Sequence, residues 1–212
     1  MGGSAAGILT NSATGRHELN VIVSHIATPL EAACRPTAEP RMSTVPSVRQ
    51  CVQDAKGRLA EQRRKAKRQH EIGLPAADIC DRLADTLDVI VLDIFEAALA
   101  DLSEKDARRL MRGVALVPHA GYGRRDVAPY SDLDLMLLYA PQVRDLVDPL
   151  AKRLLVDIFD AGLSFGHAVR TTAEACQLAW SDATIYSSLV ESRYLAGSVS
   201  LYTRFEIGRA HV

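Results

Sequence analysis

Residues 119–139 read HAGYGRRDVAPYSDLDLMLLY, and the reading of this stretch decides the fold. It follows directly on an apolar run, Val114-Ala115-Leu116-Val117, that predicts a short strand ended by Pro118. Gly121 and Gly123 then form a turn without Cβ atoms, where backbone amides can come close to a triphosphate. Arg124 and Arg125 add positive charge beside it. Asp132 and Asp134 come next, alternate residues at the head of the apolar segment LDLMLLY, which predicts a second strand buried on both faces. Side chains two apart on a strand share a face. Two carboxylates on one face repel each other and lose hydration, so they have no structural merit by themselves. A divalent cation reverses that balance. Mg²⁺ commonly takes a few carboxylates plus substrate phosphates, and two such ions can stabilise the attacking and leaving oxygens of an in-line phosphoryl displacement. Either motif alone is weak, a strand end with solvated acids or an ordinary turn. The order of strand, Gly-x-Gly and paired acids within an apolar strand is far more specific.

Working outward, the period before this stretch is helical. Ser47 is the expected N-cap of a charged helix running to His70, with Val48, Val52, Leu59 and Ala66 as its sparse apolar positions. Its dense basic run (Lys56, Arg58, Arg63, Arg64, Lys65, Lys67 and Arg68) reads as a solvated face, because acids flank it and no aromatic residue interleaves it. Gly73-Leu74-Pro75 breaks that helix. A second follows over residues 76–102, where Ile79, Leu83, Leu87, Val91, Ile94, Ala98 and Leu102 recur at three- and four-residue steps. A short charged helix is expected after Ser103.

Beyond the paired acids, Asp148 and Pro149 predict the start of another helix, with Leu150, Leu154, Leu155, Ile158 and Phe159 on its core face and Gly162 as its stop. Residues 163–170 alternate as a third strand, placing Leu163, Phe165, His167 and Val169 on one face. Thr171 and Glu174 make a capping box for the next helix, and a last one is expected over residues 182–196, closed by Gly197. Trp180, Tyr186 and Tyr194 are expected to pack rather than to stack on a base. The fold class is therefore α+β, a small mixed sheet flanked by helices and preceded by a helical arm. Residues 1–45 read as a disordered extension, 46–112 as the helical region and 113–206 as the core. Only residues 19–26 could pack within the extension, and Met42 is a candidate true start.

The whole chain excludes several classes. A net charge of −1 over 212 residues gives no general attraction to nucleic acid or to a membrane surface. No apolar run long enough to span a bilayer and no secretory signal is present. Cys34, Cys51, Cys80 and Cys176 are scattered without a Cys-x-x-Cys pair, which speaks for reduced thiols in a cytoplasm rather than a zinc site.

The glycine turn followed by Asp-x-Asp resembles the polymerase-β-like nucleotidyltransferase superfamily. The wording GYGRRDVAPYSDLDLMLL, with GLSFGHAVRT at 162–171 and SLVESRYLAG at 188–197, is similar to the uridylyltransferase/uridylyl-removing enzymes of the PII signal protein. The likeness covers roughly residues 47–205 and is loosest in the N-terminal helices. It implies that Gly121, Gly123, Arg124 and Ser131 hold the nucleotide, and that Asp132 and Asp134 bind Mg²⁺ and carry catalysis. The implied reaction moves UMP from UTP to a tyrosine of PII, and His167 and Arg170 become candidate phosphate contacts, with His119 before the turn. Two departures stand out. The family usually has paired glycines before the tyrosine, whereas the first is Ala120 here. The third carboxylate that often completes the metal site is missing from residues 163–170, leaving Glu174 and Asp182, each with a helix-capping role of its own. No segment resembles the phosphohydrolase and ligand-sensing domains of the longer family enzymes. Residues 207–212, IGRAHV, match the translation of a common sequencing adapter, so the core is expected to be incomplete at its C-terminal end.

Overall fold

The computed structural model describes residues 49–212. The expected disordered extension, the packing element at 19–26, the start at Met42 and the cap at Ser47 lie outside them. Helix α1 (Gln50–Glu71) buries Val52, Ala55, Leu59 and Ala66 along one stripe. Its exposed side carries the i,i+4 ion pairs Lys65–Glu61 and Lys67–Glu71. Each such pair contributes about 0.3–0.5 kcal/mol, whereas one fully buried Val or Leu contributes about 1.5–3 kcal/mol. The narrow apolar stripe therefore fixes where α1 lies. Arg49, at the head of α1, donates to Asp157, to the Ala97 carbonyl and to Asp101 at 2.9–3.1 Å. Asp157 is only 2% exposed and also accepts from Arg153 Nε at 2.9 Å. A carboxylate so buried needs both guanidiniums to offset its lost hydration.

Gly73, at φ +83°, turns the chain into α2 (Ala76–Ala100), whose buried residues run from Ile79 to Ala98 as the apolar period requires. The Ser103 side chain accepts from the Asp106 amide and starts α3 (Glu104–Gly113). Strand β1 (Val114–Pro118) is buried throughout, and α4 (Ala120–Gly123) is a single helical turn at its end. Strand β2 (Leu133–Tyr139) is buried except at Asp134. A 3₁₀ turn at Pro141–Val143 leads into α5 (Arg144–Asp160), which carries the chain back to β3 (Phe165–Thr171). Helices α6 (Thr172–Ser181) and α7 (Ala183–Val190), the two-residue strand β4 (Ala196–Gly197) and α8 (Val199–Ala210) complete the chain. The sheet order is β3-β2-β1-β4. β1 is antiparallel to both β2 and β4, and β2 is parallel to β3 with Asp134 opposite Gly166. A mixed sheet among helices confirms the expected α+β class.

Because side chains alternate along β2, its two faces meet different partners. Leu133, Leu135, Leu137 and Tyr139 pack with residues of α1, α2 and α5. Met136 and Leu138 pack with Ala175, Leu189, Leu201 and Phe205 of α6, α7 and α8. Asp134 shares the second face. No described helix is long and apolar enough to cross a membrane.

Four expectations need correction. α5 begins at Arg144, so Pro149 lies inside the helix rather than at its first position, and Asp148 is not its cap. Burial of Val143 and Val147 and the bond from Arg144 to the Tyr139 hydroxyl draw the earlier residues into the helix despite the proline. Phe159 is 72% exposed, and Asp157 takes a place on the inner face instead. Trp180 is 72% exposed and Tyr186 is exposed too, so of the three aromatics expected to pack only Tyr194 does, against Tyr202. The last expected helix stops at Val190. Residues 192–198 run extended beside β1, with the amides of Arg193, Leu195 and Ser198 donating to the Pro118, Leu116 and Val114 carbonyls. Gly197, at φ +95°, passes so close to the Val114 carbonyl that any side chain there would overlap it. These non-local bonds outweigh the local helical pattern.

Candidate active site

The turn and the aspartates meet where β1 and β2 lie side by side. The His119 amide donates to the Asp134 carbonyl at 3.0 Å, and α4 starts at the next residue. The first amides of a helix have no intrahelical acceptor, so this turn presents free N–H groups at its start. Ala120 enters it at φ +47°, the one conformation in which a missing glycine has a cost. Gly121 is half-buried, and a Cβ there would stand 3.2 Å from the Asp126 carbonyl, where the chain folds back. Gly123 is fully buried, and a Cβ there would overlap the Glu191 carbonyl. Close packing against the segment after α7 therefore demands this second glycine.

Asp132 lies just before β2 and is exposed, and Asp134 is half-buried on the strand. Burial and the charge of Asp132 raise the Asp134 carboxyl above its ordinary pKa. Among the described residues neither carboxylate has a donor or a cation of its own, and Gly166 pairs opposite Asp134. A Cβ at Gly166 would already touch the Asp134 carboxylate at 3.4 Å. The pair is thus an uncompensated negative site among the described residues, and a side chain at position 166 would press on it.

Beneath the turn lies a network that sequence reasoning missed. Tyr122 donates to Asp88 at 2.7 Å, and Arg193 donates to the same oxygen at 2.6 Å while lying over the Tyr122 ring. Burial and the Asp88 carboxylate hold the Tyr122 phenol protonated, well above its usual range. Arg125, at φ +66°, turns away from the aspartate pair and binds Asp81 and Asp85 on α2, with Asp88 at 3.5 Å. The charge expected beside the turn is therefore used to tie the turn to α2. A local signal did exist: Asp81, Asp85 and Asp88 recur at helical spacing on α2, one face of acids awaiting a cation.

Arg124 is exposed, with Asp126 at 3.9 Å as its nearest acid. Ser131 donates to the Ala128 carbonyl at 3.0 Å and closes the turn leading to Asp132. His119 is bonded through Nδ1 to Ser188 at 2.6 Å, and burial, with the Arg170 charge, lowers its pKa to about 4. Arg170 is half-buried on the Asp134 face of β3, and burial lowers its pKa. His167 pairs in register with Leu135, one step along from Asp134 and Gly166. Glu174 accepts from the amide and hydroxyl of Thr171, which lowers its pKa, and Asp182 accepts from the Thr184 and Ile185 amides. Both acids are helix caps. Among the described residues no group of three or more His, Cys, Asp and Glu is placed to hold a metal ion.

No family model matches the chain. Curated proteins do. A bifunctional uridylyltransferase/uridylyl-removing enzyme of Mycobacterium tuberculosis (strain CDC 1551 / Oshkosh) is 37% identical over 110 residues, 52% of this chain and 14% of its own length. That of Bradyrhizobium sp. (strain ORS 278) is 32% identical over 151 residues, 71% of this chain and 16% of its own length. That of Bordetella avium (strain 197N) is 42% identical over 114 residues, covering 53% and 13%. The chain thus spans only 13–16% of the length of these relatives. Within that span, the chain is a relative of the bifunctional uridylyltransferase/uridylyl-removing enzymes.

Proposed function

We propose that this chain carries the nucleotidyl-transfer centre of such an enzyme, moving UMP from UTP to a tyrosine of the PII protein in the cytoplasm. The observation that supports it best is the Asp132–Asp134 pair, without a cation among the described residues and one hydrogen bond from the glycine turn, with the Asp134 carboxyl raised in pKa by burial and by the Asp132 charge. The acceptor hydroxyl oxygen would bond to the α-phosphorus, the bond to the β-phosphate bridge would break, pyrophosphate would leave and the hydroxyl proton would pass to solvent. Asp132 and Asp134 fit Mg²⁺, since both are oxygen donors, close enough for the charge of one to shift the other, and neither has a competing partner among the described residues. When bound, Mg²⁺ supplies the charge that stabilises the attacking and leaving oxygens.

The chain's own residues position the nucleotide. The start of α4 at Ala120 and Gly121 offers amides to the phosphates, with Gly123 keeping the turn seated. Arg124 is free to reach the phosphates from solvent, and Ser131 holds the approach to Asp132. Arg170 supplies a half-buried cation on the same face of the sheet. His119, neutral at pH 7, braces the turn against α7 through Ser188.

The test is pyrophosphate release by the 212-residue chain with Mg²⁺, purified PII protein and each nucleoside triphosphate in turn. Release with UTP that falls on the order of 10²-fold or more in both Asp132→Asn and Asp134→Asn supports the reading. Release with ATP and not UTP changes the base and keeps the chemistry. The absence of a third acid among the described residues favours a second reading, a nucleotide-binding fragment without turnover. Mg²⁺-dependent UTP binding with no pyrophosphate release would select it.

A further inference from the structure

Between α1, the start of α2 and the loop at residues 128–130 lies an open groove of about 910 Å³. Its α1 side runs from Gly57 to His70. At 1.5 Å per residue that is about 20 Å, the length of roughly six residues of extended chain. A groove of that length suits a peptide segment better than a single small molecule. Gly57 and Ala60 leave it open, Ile79 and Pro129 give it an apolar floor, and none of its lining residues is acidic.

The rim is basic. Arg63, Arg64, Lys67 and His70 all line it, which gives the α1 basic run a use beyond solvation. Lys67 is also 4.0 Å from Glu71, and Arg64 and His70 have no ion pair among the described residues. Tyr130 forms one wall and is 80% exposed. Arg63 lies 4.7 Å from the centre of its ring and donates to the Pro129 carbonyl at 2.6 Å, so the aromatic wall is held in place. Fixed, exposed aromatic and arginine side chains are the groups that carry protein–protein affinity. Tyr130 is two residues from Asp132, so this end of the groove is at most about 7 Å along the chain from one of the two aspartates.

We propose that this groove docks an extended acidic segment of the protein acceptor and leads its hydroxyl-bearing side chain to Asp132 and Asp134. The assignment rests on the transferase reading for what happens at the end of the groove. Charge and length alone carry the docking itself.

Fluorescence anisotropy on the full 212-residue chain tests it, with a labelled Glu-Asp-Ala-Tyr-Ala-Glu peptide and its neutral counterpart Gln-Asn-Ala-Tyr-Ala-Gln. The acidic peptide should bind at least about 10-fold more tightly at low salt, and the advantage should shrink as salt rises. The exposed pair Arg64→Glu/Lys67→Glu should remove that advantage while Mg²⁺–UTP affinity and the circular dichroism spectrum stay unchanged. Tyr130→Ala should weaken both peptides. Equal binding of the two peptides, or insensitivity to the rim variant, overturns the proposal. So does tighter, rim-dependent binding of an eight-residue oligouridylate, or a rim variant that only converts a dimer to a monomer in sedimentation. Loss of UTP binding in the rim variant would assign the groove to the nucleotide and overturn docking as well. A wild-type chain that binds the acidic peptide but no Mg²⁺–UTP would sink the transferase reading and leave the groove an acidic-segment site.

Discussion

The glycine turn and the aspartate pair are one hydrogen bond apart, yet they are built on opposite terms. In the turn, side chains are satisfied by distant protein groups: Tyr122 by Asp88, Arg125 by Asp81 and Asp85, His119 by Ser188, with Gly123 pressed on Glu191. In the pair, Asp134 feels the charge of Asp132, and among the described residues no donor or cation offsets it. A satisfied region explains its own residues by stability. An unsatisfied one has no such explanation among the described residues. The comparison also redistributes the residues of the motif, because Gly123 and Arg125 hold the turn in place while the aspartates are left without partners among the described residues.

The largest effect should come from filling the turn. Gly123→Ala puts a methyl group into the Glu191 carbonyl, a backbone atom that cannot rotate away. We expect a loss of about 3 kcal/mol or more in urea unfolding, at the upper end of overpacking costs. A loss below about 1 kcal/mol would mean that the segment after α7 yields easily and that the turn is not fixed by it.

Next is the network below the turn. Asp88→Ala leaves the Tyr122 hydroxyl and the Arg193 guanidinium without their shared acceptor. Side-chain exposures of 17% for Asp88 and 23% for Arg193 keep the cost below that of a fully buried pair, so about 2 kcal/mol is expected. Asp88→Asn, which keeps an acceptor oxygen, should recover part of it. Equal unfolding midpoints for both variants would show that geometry at this site does not matter to stability.

The same contrast explains what could be read from the sequence. β1, β2, the aspartate pair and the α2 stripe depend on local periods, and local periods are visible. The Thr171–Glu174 box and the Gly162 stop are local too, and both are present. β4 was hidden because its pairing is with Ala115 and Leu116, far back in the chain, while its own residues carry a helical pattern. The role of Arg125 was hidden for a related reason, since its acids lie some forty positions earlier. The basic residues on α1 looked solvated because only the tertiary fold brings Tyr130 and Pro129 beside them. Sequence reasoning singled out the aspartate pair and missed how the turn beside it is tied down.

The pair itself should respond in the opposite sense to the turn. The Asp134 pKa is raised in the folded chain, so the folded state holds more protons than the unfolded state across the interval above the ordinary carboxyl pKa. Stability in the absence of Mg²⁺ therefore falls as pH rises through that interval. Asp134→Asn should remove this dependence and gain about 0.5–1 kcal/mol at pH 7, with no gain below the unfolded pKa. Adding Mg²⁺ should stabilise the wild type and not the variant. A variant less stable than wild type at pH 7 without metal would show that Asp134 has a structural partner after all.

The smallest expected effect lies at the entrance to the turn, where the two regions touch. Ala120 holds φ +47°, a conformation that costs a residue with a Cβ about 1–2 kcal/mol. Glycine removes that strain but loses about 0.5–1 kcal/mol through the greater freedom of its unfolded chain. Ala120→Gly should therefore raise stability by only about 0.5 kcal/mol, whereas Ala120→Val should lower it by more, since β-branching makes positive φ worse. Both variants leave the Asp88 network and the aspartate pair untouched, so Mg²⁺–UTP affinity becomes the sharper readout. If the amides at the start of α4 meet the phosphates, glycine should tighten binding and valine should weaken it in step with stability. Affinity that ignores both substitutions would confine Ala120 to the structural half of the site and leave nucleotide recognition to the aspartates and the cations around them.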